Sequence, residues 1–547
     1  MMVRNTILLA IFLAAIPAAA QQMVTAAHQQ LAAMGFGAKA EMKAETEAYA
    51  VYGTSEGGFV VMGKYADGPQ VLGYSTSTYH ADRLPCGLRW WLGAVGETAG
   101  SSATVPKRRA SYTAVANFID TQWGQDTPYN QKCPMDGGER TPTGCIATAM
   151  AQVMRYYEWP MQGQGMGAYT VGSSEEPIYE ATNNVYQWSL MPKVPYTGST
   201  RANIREAVST LMFDCGKASM MNYAKDGSGA YDWDQALGLA RNFQYDSLAL
   251  RRLERSLYGD ADWQSIIVAE MQAHRPILYS GSSEEDGGHA FVFSGLDSSG
   301  RVYVNWGWNG DCDGYYDINA IKPREGNFEI YDFTEGQSMN IGIKPMSADG
   351  PDGEYQSQWV AYFLADATVS QNRRQLRIPY YYFYNIQYLP FLGSIGLLIE
   401  STDDHGISRM LTVDDMEGET VYCYEGYSNI DDSGSRPTYT PVDISLTGMP
   451  AGYYRATWVS QAIQESVPRT IIDEEGAQVA PFYFAKSASG TISVSSLPIT
   501  DGIAAATVNT GGASPARYYD MQGRPAAAGH RGVRIVRQAG RTGKVIR

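Results

Sequence analysis

The stretch TPTGCIATAMAQVMRYYEW, residues 141–159, sets one thiol, Cys145, directly after a glycine and at the head of an apolar pattern. A buried cysteine usually acts as a small hydrophobe, so a chemical role has to come from its surroundings. Ala147, Met150, Val153, Met154 and Tyr157 recur at helical spacing. Thr143-Gly144 then marks the helix start and puts Cys145 in the first turn. Unpaired amides and the helix dipole favour an anion there, and a thiol so placed gains thiolate character.

A thiol nucleophile needs a base, and the chain has only 6 histidines. His28 and His80 precede a linker-like stretch, and His405 and His530 lie in a strand-rich region and a tail. His274, in MQAHRPIL, ends a helical pattern and reads as a surface residue. His289, in EEDGGHAFVFSG, follows two glycines and opens a strand, which would hold its ring rigidly. A third group should orient that ring. The segment YVNWGWNG offers Asn305 for this, with Trp306 and Trp308 to screen the bond from water. An oxyanion needs donors. The Cys145 amide is one, and TQWGQDTPYN supplies Gln122 and Gln125, between which spacing does not choose.

These residues need elements to hold them. Residues 108–346 open with helical patterns, the second at Ile204, Val208, Leu211 and Met212. They close with the strands RPILYSG, HAFVFSG, RVYVNWGW and GYYDINAI. Helices followed by an antiparallel sheet is an α+β order. Before it, residues 21–107 contain the strands GGFVVMGKY and QVLGYSTST and a helix, CGLRWWLGAVGE, ending near Gly96. The polar, basic run TAGSSATVPKRRASY follows, with the composition of an exposed linker. From 347 to 500 only strands are read, including WVAYFLADATV, QLRIPYYYFYN, IGLLIES and AGYYRATWVSQA, and they predict a β-sandwich.

The chain's 547 residues exceed one ordinary core. With 44% hydrophobic and 18% charged residues the composition is globular. A net charge of −15 argues against nucleic acid as a partner. The first 20 residues read as a secretory signal peptide, with Arg4, an apolar Ile7–Ile16 and a small-residue cleavage site. No later stretch is long enough to span a membrane. The 6 scattered cysteines lack a CxxC pair, and one or two disulfides between them are possible. After residue 500 a small-residue stretch leads into a tail that carries 8 Arg/Lys from Pro515 onward against a single acid, Asp520.

Four ordered motifs, TQWGQDTPYN, TGCIATAMAQVMRYYEWP, GGHAFVFSG and YVNWGWNGDCDGYY, resemble those of the streptopain family of papain-like cysteine peptidases. The resemblance covers about 115–345. It implies Cys145 as nucleophile, His289 as base, Gln125 as the oxyanion-hole glutamine, Asn305 as the histidine orienter and Trp306 as its shield. It also implies that residues 21–107 are an inhibitory propeptide, an intramolecular partner cut near Lys107, Arg108 or Arg109 and able to displace His289 in the full-length chain. Residues 347–547 resemble the extra region of interpain-like members, and the tail YYDMQGRPAAAGHRGVRIV resembles sorting domains read by type IX secretion machinery.

The expectation is thus a multidomain chain. A signal peptide (1–20) and a small α+β propeptide (21–107) precede an α+β papain-like peptidase domain (108–346). An all-β sandwich (347–500) and a linker with a short β tail (501–547) follow. Substrates are proteins or peptides, and no cofactor or metal is implied. NGDCDGYYD places Asn309, Asp311, Asp313 and Asp317 rather like a calcium loop, but Ala320 stands where a bidentate glutamate would be. A turn with solvated acids is therefore expected instead. Two other readings remain in view: an adhesion protein with a vestigial peptidase, and a Cys/His acyltransferase.

Overall fold

The structure is a computed structural model of the chain. It describes residues 18–65, 68–100, 111–165, 169–170, 177–178, 183–196, 199–283, 287–321, 336–402, 406–431, 438–500, 503–504, 517–519, 533–538 and 541–546. The expected signal-peptide core, the linker cleavage site at 107–109 and most of the basic tail lie outside the described residues.

In chain order the elements used below are α1 (Ala18–Ala33), β1 (Glu41–Glu45), β2 (Tyr49–Thr54), β3 (Gly57–Tyr65), β4 (Gly68–Ser75) and α2 (Cys86–Gly100). Then come α3 (Cys145–Tyr157), α4 (Ala202–Ala218), α5 (Asp232–Phe243), β5 (Arg251–Glu254) and α6 (Asp260–Gln272). Strands β6 (Ile277–Ser283), β7 (Gly287–Leu296), β8 (Val302–Asn305), β9 (Gly314–Tyr316) and β10 (Gly336–Ile341) complete this set. Helix α2 continues to Gly100 rather than ending near Gly96. The chain divides into two compact units, and the division falls inside β7, between Ala290 and Phe291.

The first unit takes residues up to 124 with 193–195 and 291–322. Met23, Ala27 and Leu31 recur every four residues along α1 and pack on Ala50, Tyr52, Val60 and Met62 of β2 and β3. Strands β1 to β4 form an antiparallel meander. Its last strand pairs with β9, Ser75 opposite Gly314 and Gly73 opposite Tyr316. A Cβ on Gly314 would stand 2.2 Å from the Tyr74 carbonyl oxygen, so only glycine lets the two backbones meet. Strand β9 pairs with β8, and β8 with β7. The strands of residues 41–75 and those of residues 291–316 therefore share one ladder. Helix α2 reinforces it, since the Trp91 indole N–H donates to the Asp317 carbonyl at 3.2 Å.

The second unit takes 125–192, 196–290 and the rest of the chain. Helix α3 is buried nearly all round, from Ile146 to Arg155, and packs against α4 and α5. The Gln235 amide of α5 donates to the Ile146 carbonyl at 3.0 Å. Strands β6, β10 and β5 are antiparallel neighbours in that order. Beyond them a β-sandwich forms. Trp359, Tyr381 and Phe383 from one sheet meet Ile395, Leu397, Ile399, Ala456, Trp458 and Phe484 from the other in one buried core. Alternation explains the run YYYFYN. Tyr381 and Phe383 face that core, whereas Tyr382 and Tyr384 face Leu257 and Tyr258 on the opposite side. In the tail, Arg517–Tyr519, Val533–Gln538 and Arg541–Ile546 pair into a three-stranded sheet.

No disulfide joins any of the six cysteines. Among the described residues no helix is long and apolar enough to cross a membrane.

Candidate active site

Helix α3 begins at Cys145 itself. Gly144 before it has φ 83, a conformation that favours glycine. A Cβ there would also lie 2.7 Å from the Met221 sulfur and 2.9 Å from the Ser228 carbonyl oxygen. The Gly144 carbonyl accepts from the Thr148 hydroxyl at 3.0 Å, and Thr148 in turn meets the Thr143 hydroxyl at 2.8 Å. Both threonines are fully buried. The peptide leading into the thiol is thus fixed from beneath. The first turn of α3 holds no acidic residue to oppose a thiolate.

Strand β7 comes to this thiol. The Ala290 backbone N–H donates to the Cys145 sulfur at 3.3 Å, and both groups belong to the second unit. His289 immediately precedes Ala290 and is half-buried. An N–H on sulfur is electrostatically suited to a thiolate. The segment of Gln125 is tied to the same loop, because its carbonyl accepts the Thr143 N–H at 3.0 Å. Cys145, the backbone at His289–Ala290 and the backbone of Gln125 are therefore brought together.

Gln122 belongs to the first unit. Its side chain lies against Gly310, at 3.0 Å from where a Cβ would be. Asn305 and Trp306 also lie in that unit. Asn305 ends β8 and is buried. Its amide donates to the Thr121 carbonyl at 2.6 Å, and its oxygen accepts the Gly307 N–H at 3.0 Å. Trp306 is buried against Phe291 and Tyr316, with ring centroids 4.8 and 5.2 Å away. His274 is exposed at the end of α6. Cys215 is fully buried beside the Met154 sulfur at 3.5 Å, and burial, aided by Asp214, pushes its thiol well above the ordinary range.

The acids of NGDCDGYYD correct one expectation. Asp313 and Asp317 are buried and bonded to backbone, not solvated. Asp313 accepts the Trp306 N–H at 2.9 Å, and Asp317 accepts the Asn319 N–H at 3.0 Å. Burial pushes the Asp313 carboxyl up to about 8, with Asp311 adding to the rise. The expected turn forms with Asp311 exposed, but Asp313 and Asp317 serve as internal acceptors.

Three parts of this neighbourhood escape a reading of the sequence: the Thr143–Thr148 clamp, the Ser228 carbonyl under Gly144, and the Ala290 N–H. The spacing of Thr148 four residues after Gly144 is the one local signal among them.

A family profile described as the peptidase C10 family matches residues 123–316, which include Gln125, Cys145, His289, Asn305 and Trp306. Streptopain of Streptococcus pyogenes is 30% identical over 329 residues, covering 54% of this chain and 80% of streptopain. The chain belongs to the peptidase C10 family. Its enzyme class is that of a cysteine peptidase. The thiol protease/hemagglutinin PrtT of Porphyromonas gingivalis is 31% identical over 321 residues, and there the match spans 36% of PrtT and 54% of this chain. Among solved structures, a fragment of Prevotella intermedia prointerpain A shares 34% identity with a TM-score of 0.49, over 56% of this chain and all of that one. Active interpain A shares 36% identity with a TM-score of 0.37, over 44% of this chain and 98% of that one. Residues beyond 316 fall outside the C10 match.

Proposed function

We propose that this C10 member is an exported cysteine endopeptidase made as a zymogen, with Cys145 as nucleophile and His289 as base. His289 takes the thiol proton, and the sulfur adds to the scissile carbonyl. The C–N bond then breaks as the imidazolium gives that proton to the leaving amine. Water, deprotonated by His289, hydrolyses the thioester and restores the thiol. The Cys145 N–H and the Gln125 side-chain amide hold the oxyanion. Asn305 orients the imidazole and Trp306 shields that bond. Residues 21–107 act as the inhibitor, and the ladder between β4 and β9 supports that reading by giving the leader a built-in seat. Export rests on the sequence of residues 1–20 and, for type IX machinery, on 515–547.

One observation carries the proposal: the strand that bears His289 meets a thiol at the first position of a helix, through Ala290 N–H at 3.3 Å. The test is casein hydrolysis and self-processing by purified chain. Cys145→Ala is expected to lose both, and Cys215→Ala to keep both. An active Cys145→Ala protein overturns the mechanism.

A further inference from the structure

Among the side chains by which the sandwich meets the peptidase part of the second unit, Tyr424 reaches its charged cluster. Its loop is held by Asn385 of the sandwich. Tyr424 N–H donates to the Asn385 carbonyl at 2.7 Å, and the Asn385 amide donates to the Val421 carbonyl at 3.0 Å. At φ 60, Tyr424 adopts a left-handed conformation that a non-glycine residue takes at some cost.

The ring lands on a charged and aromatic cluster of β5 and α5. Its hydroxyl donates to Glu254 Oε2 at 2.6 Å. The buried Arg252 guanidinium lies 5.1 Å from the Tyr424 ring centroid and 5.7 Å from that of Trp233. The same guanidinium bonds Asp232 at 2.5 Å and Glu254 at 2.8 Å. Trp233 contacts Tyr424 at 4.9 Å between centroids, and Tyr231 stacks flat on Trp233 at 4.2 Å. Buried charge held this way is costly to leave half-paired, so the cluster has one good arrangement.

Tyr231 and Asp232 end the loop whose Ser228 carbonyl lies beneath Gly144, the residue before the thiol. Asn222 and Gly229 close that loop with two backbone bonds, of 2.8 and 3.1 Å. The Ser228 hydroxyl donates to the Pro142 carbonyl at 2.8 Å, and its own carbonyl sits under Gly144. Contacts therefore run from Tyr424 to residues 231–233, the short backbone 228–231 carries on from there, and Ser228 meets Gly144, the residue before Cys145.

We infer that Tyr424 is a positioning residue for substrate binding: the sandwich, through this side chain, fixes the loop 222–231 beside the thiol and so sets which peptides the site accepts. The inference rests on Cys145 being the nucleophile. The sandwich is then part of the enzyme's specificity rather than a separate binding module. Neighbouring contacts make the seat firm, among them Tyr388 OH to the Ser247 carbonyl at 2.6 Å and the packing of Val360, Tyr384 and Ile386 on Leu257.

The test uses the full chain after activation, with Tyr424→Ala and Tyr424→Phe assayed on a panel of peptides varied at each position before the scissile bond. Tyr424→Ala is expected to raise KM by roughly 2- to 30-fold, unequally across the panel, with a smaller change in kcat. Tyr424→Phe, which keeps the ring, should recover most of the loss. Titration with a thiol alkylator should still find one reactive Cys145 per chain in both. A general loss of folding would lower the alkylated fraction and kcat together, and Tyr424→Phe then decides alone: an unequal KM change across the panel supports the inference and a uniform one overturns it. Wild-type KM values across the panel in a folded Tyr424→Ala protein overturn the inference and leave the nucleophile untouched. Activity persisting in Cys145→Ala would instead sink the reading beneath it.

Discussion

At the scale of single residues, two assignments can be tested apart from the nucleophile. Gln125 shares a unit and a backbone bond with the thiol loop, whereas the Gln122 side chain rests on Gly310 in the other unit. Removing an oxyanion donor typically costs about 10²–10³ in kcat. Gln125→Ala should show that loss while its thiol still alkylates, and Gln122→Ala should stay within a few-fold of wild type. A larger loss for Gln122→Ala reverses the choice. Asp313 gives a pH signature. Its buried carboxyl is pushed up to about 8, so the folded chain keeps a proton that the unfolded chain releases above about 4. The folded state binds more protons across that window, and its stability falls as pH rises through it. Asp313→Asn keeps an acceptor for Trp306 N–H and removes the titration. In a Cys145→Ala background, Tm of the Asp313→Asn chain should decline less between pH 4 and 8 than that of its parent. Parallel Tm profiles would mean Asp313 is ionised in the folded chain. The residue types of the site are legible in the sequence because Cys145, His289 and Asn305 each sit beside a local signal, a glycine or a strand end. The burial of Asp313 is not, since it depends on chain more than two hundred residues away, where Ser75 donates to its carbonyl.

At the scale of elements, the start of α3 is the decisive feature. It can be read in advance because Gly144 and the apolar spacing that follows are contiguous. The packing beneath Gly144 cannot, because Met221 and the Ser228 carbonyl arrive from a distant loop. Helix α1 is hidden for a different reason. Its segment AAAQQMVTAAHQQLAA joins directly to the signal-like stretch, and small residues leave only Met23, Ala27 and Leu31 to mark a face. The pairing of β4 with β9 is likewise invisible, because register between strands so far apart is set by tertiary contact. Gly144→Ala tests the helix start. It forces a side chain into φ 83 and against Ser228, and should cost at least about 1 kcal/mol of stability. It should also slow alkylation of Cys145, since the thiol would leave the helix terminus. Unchanged Tm and alkylation rate would show that the glycine is dispensable.

At the scale of the whole molecule, the leader is held by more than its covalent tether. In the first unit β4 shares a ladder with β9, and side chains reinforce the seam. Ser75 Oγ donates to the Asp313 carbonyl at 2.6 Å, the Cys312 N–H to Ser77 at 2.9 Å, and Tyr74 OH to Asp297 at 3.1 Å. Arg301 donates to the Val71 carbonyl at 3.0 Å, and Trp91 adds its bond to Asp317. Strand addition of this kind binds through backbone groups that a cut elsewhere does not disturb. The cut proposed near 107–109 would remove the tether, and with it the high effective concentration of residues 21–107, but none of these contacts. The nicked leader should therefore co-elute with the peptidase in gel filtration at micromolar concentration. Activity should rise only as the leader is diluted away or degraded. Trp91→Ala, which removes a buried ring from the seam, should release the leader sooner after the same cut. Separation and full activity at the moment of cleavage would show instead that the tether alone keeps the zymogen closed.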